Sequence, residues 1–95
     1  MVGPLDGIRV IEVASFLAAP SAAALMADMG ATVIKIEPPD GDTFRGNRAH
    51  LHVSAQTNYV FEVDNRGKQS LALDLGQTAA QDALHRLIAL SLIHI

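Results

Sequence analysis

Ninety-five residues with a formal net charge of −3, no cysteine and 49% apolar side chains describe at most one small domain. The charge balance excludes the basic footprint of a nucleic-acid binder, and the missing cysteines exclude a disulfide framework, a thiolate nucleophile or a cysteine zinc site. No run approaches the roughly 18 consecutive apolar residues of a membrane span, and no signal-peptide pattern precedes the first predicted strand, so a cytoplasmic location is expected.

Asp6-Gly7 is a turn signal, and Ile8, Val10, Ile11 and Val13 follow as a β-branched run broken only by Arg9 and Glu12, the pattern of a strand covered on both faces. The residues then become small. Pro20 and Ser21 mark a helix start, with Pro20 in the first turn or Ser21 as its cap. Ala22, Leu25, Met26 and Met29 fall at helical spacing and predict the buried stripe. Gly30 stands where a left-handed residue ends a helix. Thr32 to Ile36 supplies a second strand, stopped by Pro38-Pro39, which gives a β-α-β unit with parallel strands.

From Asp40 to Asn58 no period is legible, and a surface excursion is predicted. Tyr59 to Val63 reads as a short strand or a helical turn, and Asp64 to Gly67 as a turn. Leu71, Leu73 and Leu75 alternate with Ser70, Ala72 and Asp74, the period of a half-buried strand. Thr78-Ala-Ala-Gln81 predicts a capping box at the start of a last helix, whose buried stripe would be Ala80, Leu84, Leu87 and Ile88. The expected architecture is a partial, Rossmann-like open α/β sheet.

The loop from Ala14 to Ala19 lies between a strand's carboxyl end and a helix amino-terminus, where ligands sit in open α/β sheets. A nucleotide or phosphate-bearing ligand there competes with a plainer alternative, an ordinary connection whose Ala and Leu side chains simply pack. A dinucleotide fold would place an acid such as Glu37 on the ribose, but residues 14–19 hold none of the glycines that motif requires, and Phe16 and Leu17 would obstruct a pyrophosphate. His50 and His52 with Asp40 and Asp42 read as solvated loop polarity rather than as a metal site. His85 reads as a helix-boundary residue, and Asp74 as a structural residue at a strand end.

Two segments carry more than composition does. Pro4-Leu-Asp-Gly-Ile-Arg-Val-Ile-Glu-Val-Ala-Ser-Phe-Leu-Ala-Ala-Pro20, continued by Leu25-Met-Ala-Asp-Met-Gly-Ala-Thr-Val-Ile-Lys-Ile-Glu-Pro-Pro39, and Asn65-Arg-Gly-Lys-Gln-Ser-Leu-Ala-Leu-Asp-Leu75 stand in order along the chain. Together they resemble the opening of the class III CoA-transferases, a group that includes formyl-, carnitine and bile-acid CoA-transferases and the α-methylacyl-CoA racemases. The resemblance implies a substrate, coenzyme A or an acyl-CoA, exchanged with a carboxylic acid through an aspartyl anhydride, no covalently bound cofactor, and an interlocked homodimer. It also implies that residues 1–89 are an amino-terminal piece of a larger domain, without the nucleophilic aspartate and inactive alone. Leu90 to Ile95 then reads as a non-native tail, translated from a sequencing adapter.

On the same resemblance, Phe16, Leu17, Ala18 and Leu73 line the pocket for the adenine end of CoA. Several relatives carry an arginine where this chain has Pro38 and a lysine where it has Gly76. Its CoA phosphates would instead fall to Arg45 and Lys68, with Arg48 and Arg66 as further candidates. Two other functions remain open from these residues: an acyl-CoA racemase of the same superfamily, and a small nucleotide-binding or interaction domain without catalysis. A 95-residue piece with open sheet edges is expected to fold poorly or aggregate when isolated.

Overall fold

The computed structural model describes residues 3–15, 17–42 and 59–94. Strand β1 (Arg9–Glu12) leads through a loop to helix α1 (Ala18–Asp28) and strand β2 (Thr32–Glu37). Helix α2 (Tyr59–Asn65), strand β3 (Gln69–Ala72), helix α3 (Thr78–Ala89) and strand β4 (Ile93–His94) follow. The four strands form one sheet in the order β3-β2-β1-β4, with every neighbouring pair parallel. The fold is an open α/β sheet, as the apolar runs predicted.

The register places Val10 beside Val33, Ile11 beside Ile34 and Glu12 beside Lys35. Side chains alternate across a strand, so Val10, Glu12, Val33 and Lys35 share one face while Ile11, Ile34 and Ile36 share the other. On the first face Val10, Ala23, Ala31 and Val33 form the buried core cluster, flanked by Leu5, Ile8, Met26, Ala27 and Ile93. That face is therefore the one α1 covers.

The buried residues of helix α1 are Pro20, Ala23 and Ala24 rather than the predicted stripe, and of these Ala23 joins the core cluster on the sheet. Leu25 is 52% exposed and Met29 46%, Ala22 is also exposed, and only Met26 of the four packs on the core. Helix α1 is enclosed between the sheet and α2, and its alanines fill that inner side while Leu25 and Met29 turn outward. Pro20 sits within the first turn, and Ser21 does not cap it: Leu17 holds the N-cap position without a side-chain bond. Gly30 ends the helix as expected, at φ 103°, with its N–H donating to the Ala27 carbonyl at 3.0 Å.

Tyr59–Asn65 takes the helical of its two readings. Asp64 and Asn65 belong to that helix rather than to the turn, because the Asn65 side-chain amide donates to the Phe61 carbonyl at 2.9 Å and closes the last turn. The predicted capping box does not form. Gln77 occupies the N-cap with an extended backbone and no side-chain bond, and the Gln81 amide instead donates to the Leu75 carbonyl at 2.8 Å. Ala80, Leu84, Leu87 and Ile88 form the more enclosed face of α3, though none is fully buried. Strand β4 lies within the segment to which the sequence assigned no structure; Val10 pairs with Ile93, and the Leu92 N–H donates to the Arg9 carbonyl at 3.2 Å. No helix among the described residues is long and apolar enough to cross a membrane.

Candidate functional site

The carboxyl ends of β1, β2 and β3 converge on a cavity of about 270 Å³ lined by Val13, Ala14, Ser15, Ile36, Glu37, Pro38, Leu73, Asp74 and Leu75. Each lining segment begins where its strand ends, so the cavity follows from the parallel topology: three parallel strands end at the same edge, and the chain must leave the sheet there. The walls are mainly aliphatic. The charged lining residues are two carboxylates, Glu37 and Asp74.

Both acids have structural partners. Glu37 is 3% exposed; its Oε1 accepts from the Asp42 N–H at 2.9 Å, and its Oε2 accepts from the Ser70 hydroxyl. The acid that a dinucleotide site would aim at ribose hydroxyls is here engaged between β2, β3 and the loop after β2. Asp74 Oδ1 accepts from the Gly76 N–H at 3.1 Å, and its carbonyl accepts from the Gln77 N–H at 2.9 Å, a turn that launches α3.

Beneath the cavity runs a buried chain of charges. Lys35 Nζ lies 2.6 Å from Glu12 Oε2 and 2.8 Å from Asp42 Oδ2, and donates to the Ala14 carbonyl at 3.2 Å. Lys68 Nζ lies 2.6 Å from the other Glu12 oxygen and donates to the Pro20 carbonyl at 2.9 Å, the Asp64 carbonyl at 2.8 Å and Asn65 Oδ1 at 2.7 Å. The side chains of Glu12, Lys35, Asp42 and Lys68 are between 0% and 3% exposed. Burial holds the Lys68 ammonium below the usual lysine range, against the opposing pull of Glu12 and Asp64, while the Lys35 charge adds to the lowering. A second, exposed ion pair joins Arg66 to Asp28 at 2.6 Å; the Arg66 hydrogen bond holds the Asp28 carboxyl below its usual range and Arg66 correspondingly higher.

Of the residues the resemblance singled out, Leu73 meets the post-β1 loop at the cavity wall. Leu17 and Ala18 stand exposed at the entrance to α1, just beyond the lining residues Val13 to Ser15. Phe16, Arg45, Arg48, His50 and His52 lie outside the described residues. Lys68 does not line the cavity: its ammonium is enclosed by four oxygens. Among the described residues no group of three potential metal ligands assembles.

Sequence reasoning overlooked Glu12, Lys35 and Asp42. The signal was present: aligning the two apolar runs as Val10-Ile11 on Val33-Ile34 sets a glutamate beside a lysine inside two strands that offer no solvent. Opposite charges at one register position of adjacent buried strands are a pair in waiting.

The model of CoA-transferase family III matches residues 5–95. This chain belongs to that family. A succinyl-CoA:mesaconate CoA-transferase from Haloarcula hispanica is 40% identical over 89 residues, which cover 92% of this chain and 22% of that protein. An (R)-2-hydroxy-4-methylpentanoate CoA-transferase from Clostridioides difficile is 37% identical over 87 residues, with 90% and 22% covered. The crystal structure of a CAIB/BAIF family protein from Brucella suis superposes with a TM-score of 0.87 at 30% identity, over 99% of this chain and 25% of that one. The chain thus spans about a fifth of the length of the curated relatives it matches.

Proposed function

We propose that this chain forms the wall that receives the nucleotide end of coenzyme A in an enzyme that moves CoA between an acyl-CoA and a carboxylic acid. The cavity carries this reading. It joins the loop after β1 to Leu73-Asp74-Leu75, so that the two segments most like the family's converge on one space. At about 270 Å³ the cavity lies at the lower edge of the roughly 300–1,000 Å³ typical of small-molecule sites. That size suits one ring system between aliphatic walls, not a whole CoA. Leu17 and Ala18 would offer backbone groups from the start of α1, where Pro20 leaves Ala18 and Ala19 as the N–H carriers of the first turn. Phe16 would join Leu17 and Ala18 in lining the adenine pocket, and Arg45 would meet a phosphate.

The chemistry belongs to residues outside this chain. An aspartate attacks the thioester carbonyl and expels CoA thiolate, leaving a mixed anhydride. The thiolate returns to the aspartyl carbonyl, releases the donor acid and leaves an enzyme thioester. The acceptor carboxylate displaces the thiolate through a second anhydride, and the thiolate closes the cycle on the new acyl group. Each return of the thiolate is faster the better CoA is held in place. Two long chains, interlocked as a homodimer, would complete the site and cover the apolar surface left open at Leu25, Met29 and Val63.

Substituting Leu73 by tryptophan in the complete protein fills the cavity. CoA and adenosine are expected to bind at least about tenfold more weakly while pantetheine, which lacks the nucleotide, is unaffected. Equal losses for all three ligands, or no loss for CoA, would refute the assignment.

A further inference from the structure

Glu12 holds both ends of the buried charge chain. One of its oxygens meets Lys35 and the other Lys68, each at 2.6 Å. Each lysine continues into a segment of the cavity or its support. Lys35 donates to the carbonyl of Ala14, a lining residue, and pairs with Asp42, whose own N–H is held by the lining acid Glu37. Lys68 reaches the Pro20 carbonyl in the first turn of α1 and the end of α2 through Asp64 and Asn65. The cluster thus ties both ends of the loop between β1 and α1, at Ala14 and at Pro20, to one carboxylate on β1.

An ammonium has three N–H bonds. Lys68 already faces four oxygens between 2.6 and 2.9 Å, with a side chain only 3% exposed, so no donor remains for a phosphate in the cleft. We propose that Lys35 and Lys68, bridged by Glu12, are positioning residues that hold the two ends of the loop after β1, at Ala14 and at Pro20, and that Lys68 acts on a bound nucleotide through that loop and never by touching it.

Two variants separate this from a direct contact. Lys68→Met removes the charge. Lys68→Arg keeps the charge, so a phosphate contact would survive, but a planar guanidinium cannot satisfy four oxygens arranged around a point donor. On the complete protein, hydrogen exchange is read at the amides of residues 14–19 and, for comparison, of α3. Both variants are expected to speed exchange in the loop by about tenfold or more relative to α3. The ligand arm rests on the cavity reading given above: CoA and adenosine should lose affinity by the same factor in both variants.

Unchanged exchange in the loop, or an equal rise in α3, overturns the proposal. So does a loss for CoA with adenosine unaffected, or a Lys68→Arg variant that binds CoA as the parent does. If the parent protein binds neither ligand, the cavity reading falls while the exchange measurement alone decides the positioning role. Should Lys68→Met fail to fold, Lys68→Arg carries both comparisons.

Discussion

Replacing Lys35 by methionine would test how much the fold depends on its buried charges. The substitution keeps an unbranched chain of similar reach but leaves Asp42 Oδ2 and one Glu12 oxygen without the cation now 2.8 and 2.6 Å away. Glu12 retains Lys68, and the buried Asp42 carboxylate loses the Lys35 cation. Removing one partner of a buried pair costs about 3–5 kcal/mol, a large part of the roughly 5–15 kcal/mol that holds a domain together. Native-state hydrogen exchange at the amides of β1 and β2 reads this directly: at about 1.4 kcal/mol per tenfold, protection should fall on the order of 10²- to 10⁴-fold. Adding Asp42→Asn to Lys35→Met removes the acid that faced the lost cation and should recover part of the loss. A Lys35→Met protein whose strand amides exchange within about threefold of the parent would refute the claim that the cluster is both sealed and ionised.

Two further outcomes follow from single residues. Gly30→Ala places a Cβ at φ 103° and 1.8 Å from Asp6 Oδ1, whereas Gly7→Ala at φ 84° meets nothing within 4 Å. Both should lose about 1–2 kcal/mol to the left-handed backbone, and Gly30→Ala clearly more; equal melting temperatures for the two would show that Asp6 simply moves aside. Arg66 lowers the Asp28 carboxyl pKa from its usual 3.8, so the pair's contribution is complete above that pH and is lost as the pH falls through the lower folded value. Asp28→Asn should therefore be less stable than the parent by a constant amount near neutrality, a difference that shrinks only as the pH falls below about 4, in acid titration followed by circular dichroism; a difference that persists undiminished in strong acid would contradict the assignment.

The sheet was legible because its signals are local. Val10-Ile11 and Val33-Ile34 with Ile36 are apolar runs bounded by Gly7, Gly30 and Pro38, and their lengths and order suffice for a parallel pair. The buried face of α1 was not legible, since a search for large apolar residues finds Leu25 and Met29 and passes over Pro20, Ala23 and Ala24. How closely a helix approaches a sheet is a tertiary property, and it decides whether size or smallness marks the inner face. The cavity's position followed from strand polarity, and Leu73 stands in its wall. Lys68, marked as a cation for phosphate, shows the opposite limit: a charge in a turn reads as solvent-facing until the segments around it are placed, and only then do four oxygens close on it.

The two ion-pair systems differ in what dissolved salt can reach. The Arg66–Asp28 side chains are 42% and 49% exposed, while those around Glu12 are at most 3% exposed. Counter-ions screen the first, with a screening length near 3 Å at about 1 M salt, and have no path to the second. Rising ionic strength therefore loosens the clasp between the end of α1 and the turn before β3 while the inner cage keeps its grip on the strand ends. The molecule has a built-in order of failure: in brine, its outer fastening slackens first and the cavity-facing edge of the sheet last.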